Sequence, residues 1–127
     1  MIGIKQKRKI LLVDDDELHL FTAKDILKKR YKIVTAESGE KALEIIYKRF
    51  IPDLIILDII MPQMDGWETF HRLRTISYLQ NVPIIFLTSM HEADEKERAH
   101  KMGAADFLAK PIERESLLKC VEALLKN

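Results

Sequence analysis

Four short aliphatic runs, each ending abruptly in a polar group, decide most of what this chain can fold into. Ile10-Leu11-Leu12-Val13 empties into Asp14-Asp15-Asp16-Glu17, and Leu54-Ile55-Ile56-Leu57 empties into Asp58. Pro83-Ile84-Ile85-Phe86-Leu87 stops at Thr88-Ser89, and the shorter Asp106-Phe107-Leu108-Ala109 stops at Lys110-Pro111. Their length and β-branched content read as buried strands. A further strand is read over residues 31–36. Between the strands lie segments with helical spacing of apolar residues, over 17–30, 38–48, 67–76, 91–102 and 113–126. Lys28-Lys29-Arg30 closes the first, where cations favour a helix C-terminus, and Asp16 reads as its N-cap. Ser38 starts the second, and Gly103 stops the fourth. Met61-Pro62-Gln63-Met64-Asp65-Gly66 is dense in turn residues and reads as a loop.

Five βα units in succession, with little sequence between them, imply an α/β fold. The sheet is parallel and doubly wound, covered by helices on both faces through right-handed crossovers. In such a sheet the C-terminal strand ends share one edge, which is where ligands bind. Three carboxylates, a hydroxyl and an ammonium should therefore meet there.

Composition narrows the class. With 127 residues and 47% apolar content the chain is one ordered domain, here taken as residues 9–127 behind a leader of residues 1–8. Net charge is +1, so no overall field favours nucleic acid or membrane, and Lys5-Gln6-Lys7-Arg8-Lys9 reads as a solvated leader. Cys120 is the single cysteine, which fits a reduced compartment and a buried structural thiol. There is no membrane-length apolar stretch and no apolar core of a secretory signal, so the expectation is a soluble cytoplasmic domain. The histidines His19, His71, His91 and His100 lack metal-ligand spacing and read as exposed or structural. Trp67 and Phe70 read as packing, and Met61, Met64, Met90 and Met102 as gap-fillers.

Val13-Asp14-Asp15, Leu57-Asp58 with Met61-Pro62 and Asp65-Gly66, Leu87-Thr88-Ser89, and Ala109-Lys110-Pro111 occur in order, each at a strand end. Taken together over residues 9–126, they resemble the receiver domain of bacterial two-component response regulators, chemotaxis-regulator-like and, as this sequence stands, apparently single-domain. The resemblance implies a flavodoxin-like strand order 2-1-3-4-5 and a signalling switch that takes a phosphoryl group from a histidine kinase or phosphotransfer protein. It implies Asp58 as phosphoacceptor, with Mg2+ ligated by Asp15, Asp58 and the backbone carbonyl of Ile60, and by Asp14 mostly through water. Lys110 would pair with one phosphoryl oxygen, and the Thr88 hydroxyl would donate to another. It also implies a cis peptide at Lys110-Pro111.

Chemistry alone makes that set sensible. A carboxylate that attacks phosphorus needs an exposed oxygen and an offset charge, and phosphoryl transfer is largely positioning and electrostatics. Magnesium takes one or two carboxylates, waters and the phosphate itself. For the switch, the resemblance assigns Thr88 to move toward the phosphoryl group and Phe107 to fill the space it leaves. Phenylalanine has no hydroxyl, so packing alone would drive the change. The altered surface would be the fourth helix, fifth strand and final helix, facing a protein partner and not nucleic acid or membrane.

Two positions depart from the polar pattern of chemotaxis-type members, since Ile60 and Met90 are apolar where polar groups can orient a hydrolytic water. Slow self-dephosphorylation, in minutes to hours, is the expectation (~10²-fold from losing a water-positioning group). The domain would then be a phosphoacceptor that catalyses its own transfer and not a turnover enzyme.

Blander roles compete at several positions. Asp14 and Asp15 could be only acids near a helix N-terminus, Thr88 and Ser89 a cap of the next helix, Lys110 a surface lysine and Phe107 an ordinary strand aromatic. Two other functions were weighed. A Mg2+-dependent aspartyl-phosphate phosphatase would carry a second acid where this chain has Ile60, and a substrate-covering cap that it lacks. A phosphate-independent scaffold would have no reason to keep all five site groups.

Overall fold

Successive residues of the first strand point to opposite sides of the sheet, and that alternation builds two separate cores. The computed structural model describes residues 6–90 and 92–126. The strands are β1 (Arg8–Val13), β2 (Tyr31–Ala36), β3 (Leu54–Leu57), β4 (Ile84–Thr88) and β5 (Asp106–Ala109). They form one parallel sheet in the order β2-β1-β3-β4-β5, as the resemblance implies. The helices are α1 (Glu17–Leu27), α2 (Gly39–Tyr47), α3 (Gly66–Arg74), α4 (Ala93–Met102) and α5 (Arg114–Leu125).

Ile10, Leu12, Ile56, Ile85 and Leu87 pack with Leu20, Ala23 and Leu27 of α1 and Leu117, Val121 and Leu125 of α5. Leu11, Val13, Ile55, Leu57 and Phe86 pack on the other side with α2, α3 and Ala99 of α4. Trp67 and Phe70 pack there against Phe86, with ring centroids 5.1 and 5.5 Å away. Met61 and Met64 are buried in the same core and need no other explanation.

The helix termini follow local chemistry. Asp16 caps α1 by accepting from the amides of Leu18 and His19, and Ser38 caps α2 by accepting from Lys41. Gly103 ends α4 in the left-handed conformation at φ 96°, where a Cβ is disfavoured.

Element boundaries differ from the sequence reading in instructive places. α1 stops at Leu27 rather than 30, because the chain must turn through Lys28–Arg30 to enter β2. α3 begins at Gly66, capped by the Asp65 carboxylate, and gives way to a 3-10 turn at Ser77–Leu79. β1 begins at Arg8, one residue inside the expected leader. The rest of that leader up to residue 5, with His91 and Asn127, lies outside the described residues.

α4 is the least anchored helix. Ala99 is its one buried side chain, so few apolar contacts hold it against local opening.

Candidate functional site

The register of β1 on β3 sets Val13 beside Leu57, so the next residues, Asp14 and Asp58, leave the sheet as neighbours. Both stay tied to it. The Asp58 amide donates to the Val13 carbonyl at 2.9 Å, and the Asp14 amide donates to that of Ala36 at 3.1 Å. On the other side of β3, Thr88 lies opposite Ala109, and the Lys110 amide donates to the Thr88 carbonyl at 2.8 Å. The following Lys110-Pro111 peptide is cis. Four strand ends thus deliver the side chains to one edge.

Asp14, Asp15 and Asp58 each offer a carboxylate oxygen within 4.8 Å of the other two. Asp14 and Asp58 are only 6% and 5% exposed, whereas Asp15 faces solvent. The Lys110 ammonium is also buried. It donates to Asp14 Oδ2 at 2.6 Å and to Asp58 Oδ2 at 3.3 Å. Backbone amides meet the remaining oxygens, Asp16 N–H on Asp14 Oδ1 and Ile59 N–H on Asp58 Oδ1.

Burial pushes the Asp14 carboxyl above the ordinary carboxylate range, and the neighbouring Asp58 charge adds to that. The hydrogen bonds from Lys110 and the Asp16 amide oppose the shift without cancelling it. A buried pair of acids beside one lysine needs further positive charge. The donors are all oxygens, converging from adjacent residues on a side open at Asp15. That donor chemistry fits a hard divalent cation such as Mg2+.

The loop after β3 is held close beneath these groups. Gly66 N–H donates to the Ile59 carbonyl at 2.7 Å, and a Cβ on Gly66 would lie 2.2 Å from the Asp58 carbonyl oxygen. Only glycine allows α3 to start so near the acid.

Thr88 is fully buried, and its hydroxyl accepts from the Met90 amide at 3.2 Å. It does not cap a helix: α4 starts later, with extended Glu92 at the N-cap position and no side-chain cap. Phe107 is half-buried on β5, its ring 6.2 Å from that of Phe86. Ile60 is 53% exposed beside Asp58, and Met90 is half-buried. Cys120 is buried and donates to Asp106 at 3.2 Å, and burial together with that carboxylate pushes its thiol up to about 12.

The sequence reading missed one participant. His19 reads from the sequence as exposed or structural, but its Nδ1 lies 2.6 Å from Lys110 Nζ and 3.7 Å from Asp14 Oδ2. The Asp16 cap puts His19 in the first turn of α1, but which groups that turn faces depends on how the helix lies over the sheet.

Comparison with known proteins agrees with this geometry. Residues 10–122 match the family model of the response regulator receiver domain. The chain is 36% identical to the probable transcriptional regulator ycf27 of Porphyra purpurea, over 96% of this chain and 49% of that protein. It is 29% identical to the protein PilH of Pseudomonas aeruginosa, over 92% of this chain and 97% of that one. The structure of the chemotaxis protein CheY4 of Vibrio cholerae superposes with a TM-score of 0.87 at 31% identity, covering 94% of this chain and 100% of that one. The chain spans about a quarter of a probable cyclic di-GMP phosphodiesterase of Vibrio cholerae, about half of the ycf27 regulators and nearly all of PilH. No described helix is long and apolar enough to cross a membrane. The chain belongs to the response regulator receiver domain family, the phosphorylation switches of two-component systems, whose members bind Mg2+ at an acidic pocket and are generally phosphoacceptors rather than enzymes.

Proposed function

We propose that Asp58 accepts a phosphoryl group from a histidine kinase or phosphotransfer protein, and that this charge reshapes the face formed by α4, β5 and α5 for a protein partner. The observation that carries the reading is the buried Lys110 ammonium within hydrogen-bonding reach of both Asp14 and Asp58, beside exposed Asp15.

An Asp58 oxygen attacks phosphorus as the bond to the donor's imidazole nitrogen breaks, and the electron pair leaves with the imidazole. Asp14, Asp15, Asp58 and the Ile60 carbonyl would hold Mg2+, which supplies the positive charge that offsets the phosphoryl oxygens. Lys110 exchanges its carboxylate partners for a phosphoryl oxygen, a move of a flexible side chain over a few ångströms. The Thr88 hydroxyl gives up the Met90 amide and donates to a second oxygen. Ile60 and Met90 shield the acyl phosphate from water, which makes its loss slow.

Two features support the α4–β5–α5 face as the responsive surface. α4 buries only Ala99, with Met102 against the core and Arg98 over the Trp67 ring as its partial contacts, so a small differential stabilisation can shift it. A groove of about 370 Å³ runs along β5 and α5 from Phe107 through Lys110 to Leu117, touching the site at Lys110. Phe107 moving toward the space left by Thr88 would alter that groove by packing alone.

Phosphotransfer from radiolabelled histidine kinases tests the reading. Label should appear on the wild type in the presence of Mg2+ and be absent from Asp58→Asn. Equal labelling of both would reject Asp58 as the acceptor.

A further inference from the structure

The opposite end of the sheet carries basic clefts. Two adjoining ones, of about 700 and 580 Å³, lie where β1 and β2 begin, and they share Gln6, Lys7 and Tyr31. Every charged side chain lining them is a lysine or arginine except Glu122, and Glu122 is paired with Arg30. In a chain of net charge +1 this is a local excess of bases, although Asp53, which meets Arg8, and Asp106 also stand where β3 and β5 begin.

Ordinary structural needs explain part of this. Lys24 and Lys28 offset the C-terminal dipole of α1, and Lys32 guards the edge strand β2. Lys7 serves the same helix end, its ammonium donating to the Lys28 carbonyl at 3.2 Å, whereas Lys119 sits mid-way along α5, where neither need applies.

We infer that these clefts form a binding surface for an extended acidic peptide segment of a partner protein, independent of the phosphorylation site. Shape and lining select that occupant. A nucleic-acid duplex is too wide to enter clefts of this size, and Tyr31, the one aromatic lining them, is 7% exposed and cannot stack on bases. Among the described residues, none of the large exposed apolar side chains lines either cleft, which gives a membrane little there to hold. The floor of buried Tyr31 and Leu125 with Ala123, under a rim of lysine point charges, suits a flexible chain that alternates acidic and apolar residues.

The test uses a fluorescent peptide alternating Glu and Leu, titrated with the full chain at low salt and followed by anisotropy. Backbone amide shifts locate it. Binding should perturb Lys7, Tyr31 and Lys119, and weaken about tenfold or more in the folded triple variant Lys7→Glu/Lys28→Glu/Lys119→Glu and in about 0.5 M salt. The neutral variant Lys7→Gln/Lys119→Gln should lose affinity to a lesser degree, and Asp58→Asn should bind as the wild type does. The proposal is overturned if the peptide does not bind, if charge reversal leaves its affinity unchanged, or if single-stranded DNA or phosphatidylserine vesicles bind this surface more tightly.

Discussion

The two ends of one parallel sheet show what strand direction does to chemistry. At the C-terminal end, residues leaving β1, β3, β4 and β5 converge, and their side chains are buried against each other despite their charge. At the N-terminal end, where β1 and β2 begin, the charges are mainly lysines and arginines spread over open clefts. Burial separates the two more than sign does. Asp14, Asp58 and Lys110 are each under a tenth exposed, so every charge there must be answered by a neighbour. Lys7, Lys28 and Lys119 are exposed, and water screens them.

That contrast predicts unequal sensitivity. Lys110→Ala should have the largest effect, leaving two buried carboxylates without their cation and the phosphoryl group without its partner. Phosphorylation of Asp58 by a small donor should slow by roughly 10²-fold or more, measured as initial rate of label incorporation. A rate within twofold of wild type would mean that Lys110 is not part of the transfer machinery.

Polar groups at Ile60 and Met90 test the shielding of the same end. The double variant Ile60→Asn/Met90→Gln should lose its phosphoryl group about 10²-fold faster, read as decay of radiolabel from the purified phosphoprotein. Wild-type decay within seconds would contradict the shielding.

Asp14→Asn probes the cost of crowded charge. Because burial raises the folded-state pKa of Asp14 above its unfolded value, ionisation favours the unfolded chain, and stability falls as pH rises through that interval. The asparagine variant should therefore be more stable than wild type at pH 7, by about 1 kcal/mol or some 4 °C in melting temperature. The difference should shrink as pH is lowered below the unfolded carboxylate range. Added Mg2+ should stabilise the wild type more than the variant.

The smallest effect is expected at the other end. Reversing Lys7, Lys28 and Lys119 should change the rate of Asp58 phosphorylation less than twofold, since screening leaves little field across the sheet. A large change in that rate would mean that the two ends are coupled.

Much of the site was legible because strand ends are. An aliphatic run that stops at an acid fixes both the strand and the direction of the acid, so Asp14, Asp58, Thr88 and Lys110 could be placed at one edge before any coordinates. Caps were legible for the same local reason, at Asp16, Ser38 and Gly103. His19 was not, because its approach to Lys110 depends on how α1 lies over the sheet, and spacing does not encode that. The start of α3 was misplaced because Gly66 reads as a turn residue, while its absent side chain in fact lets the helix begin against the Asp58 carbonyl. The basic run around Lys7 looked like a solvated leader, since the clefts it lines are built with residues of α1, β2 and α5 distant in sequence.

Under this mechanism Asp58 alone carries the phosphoryl group. Incubating the protein with acetyl phosphate and Mg2+, trapping the acyl phosphate by borohydride reduction and sequencing the peptides by mass spectrometry tests it most directly. A reduced residue at position 58 and nowhere else is the predicted result. Modification at another residue, or none at any while the protein remains folded, would contradict it.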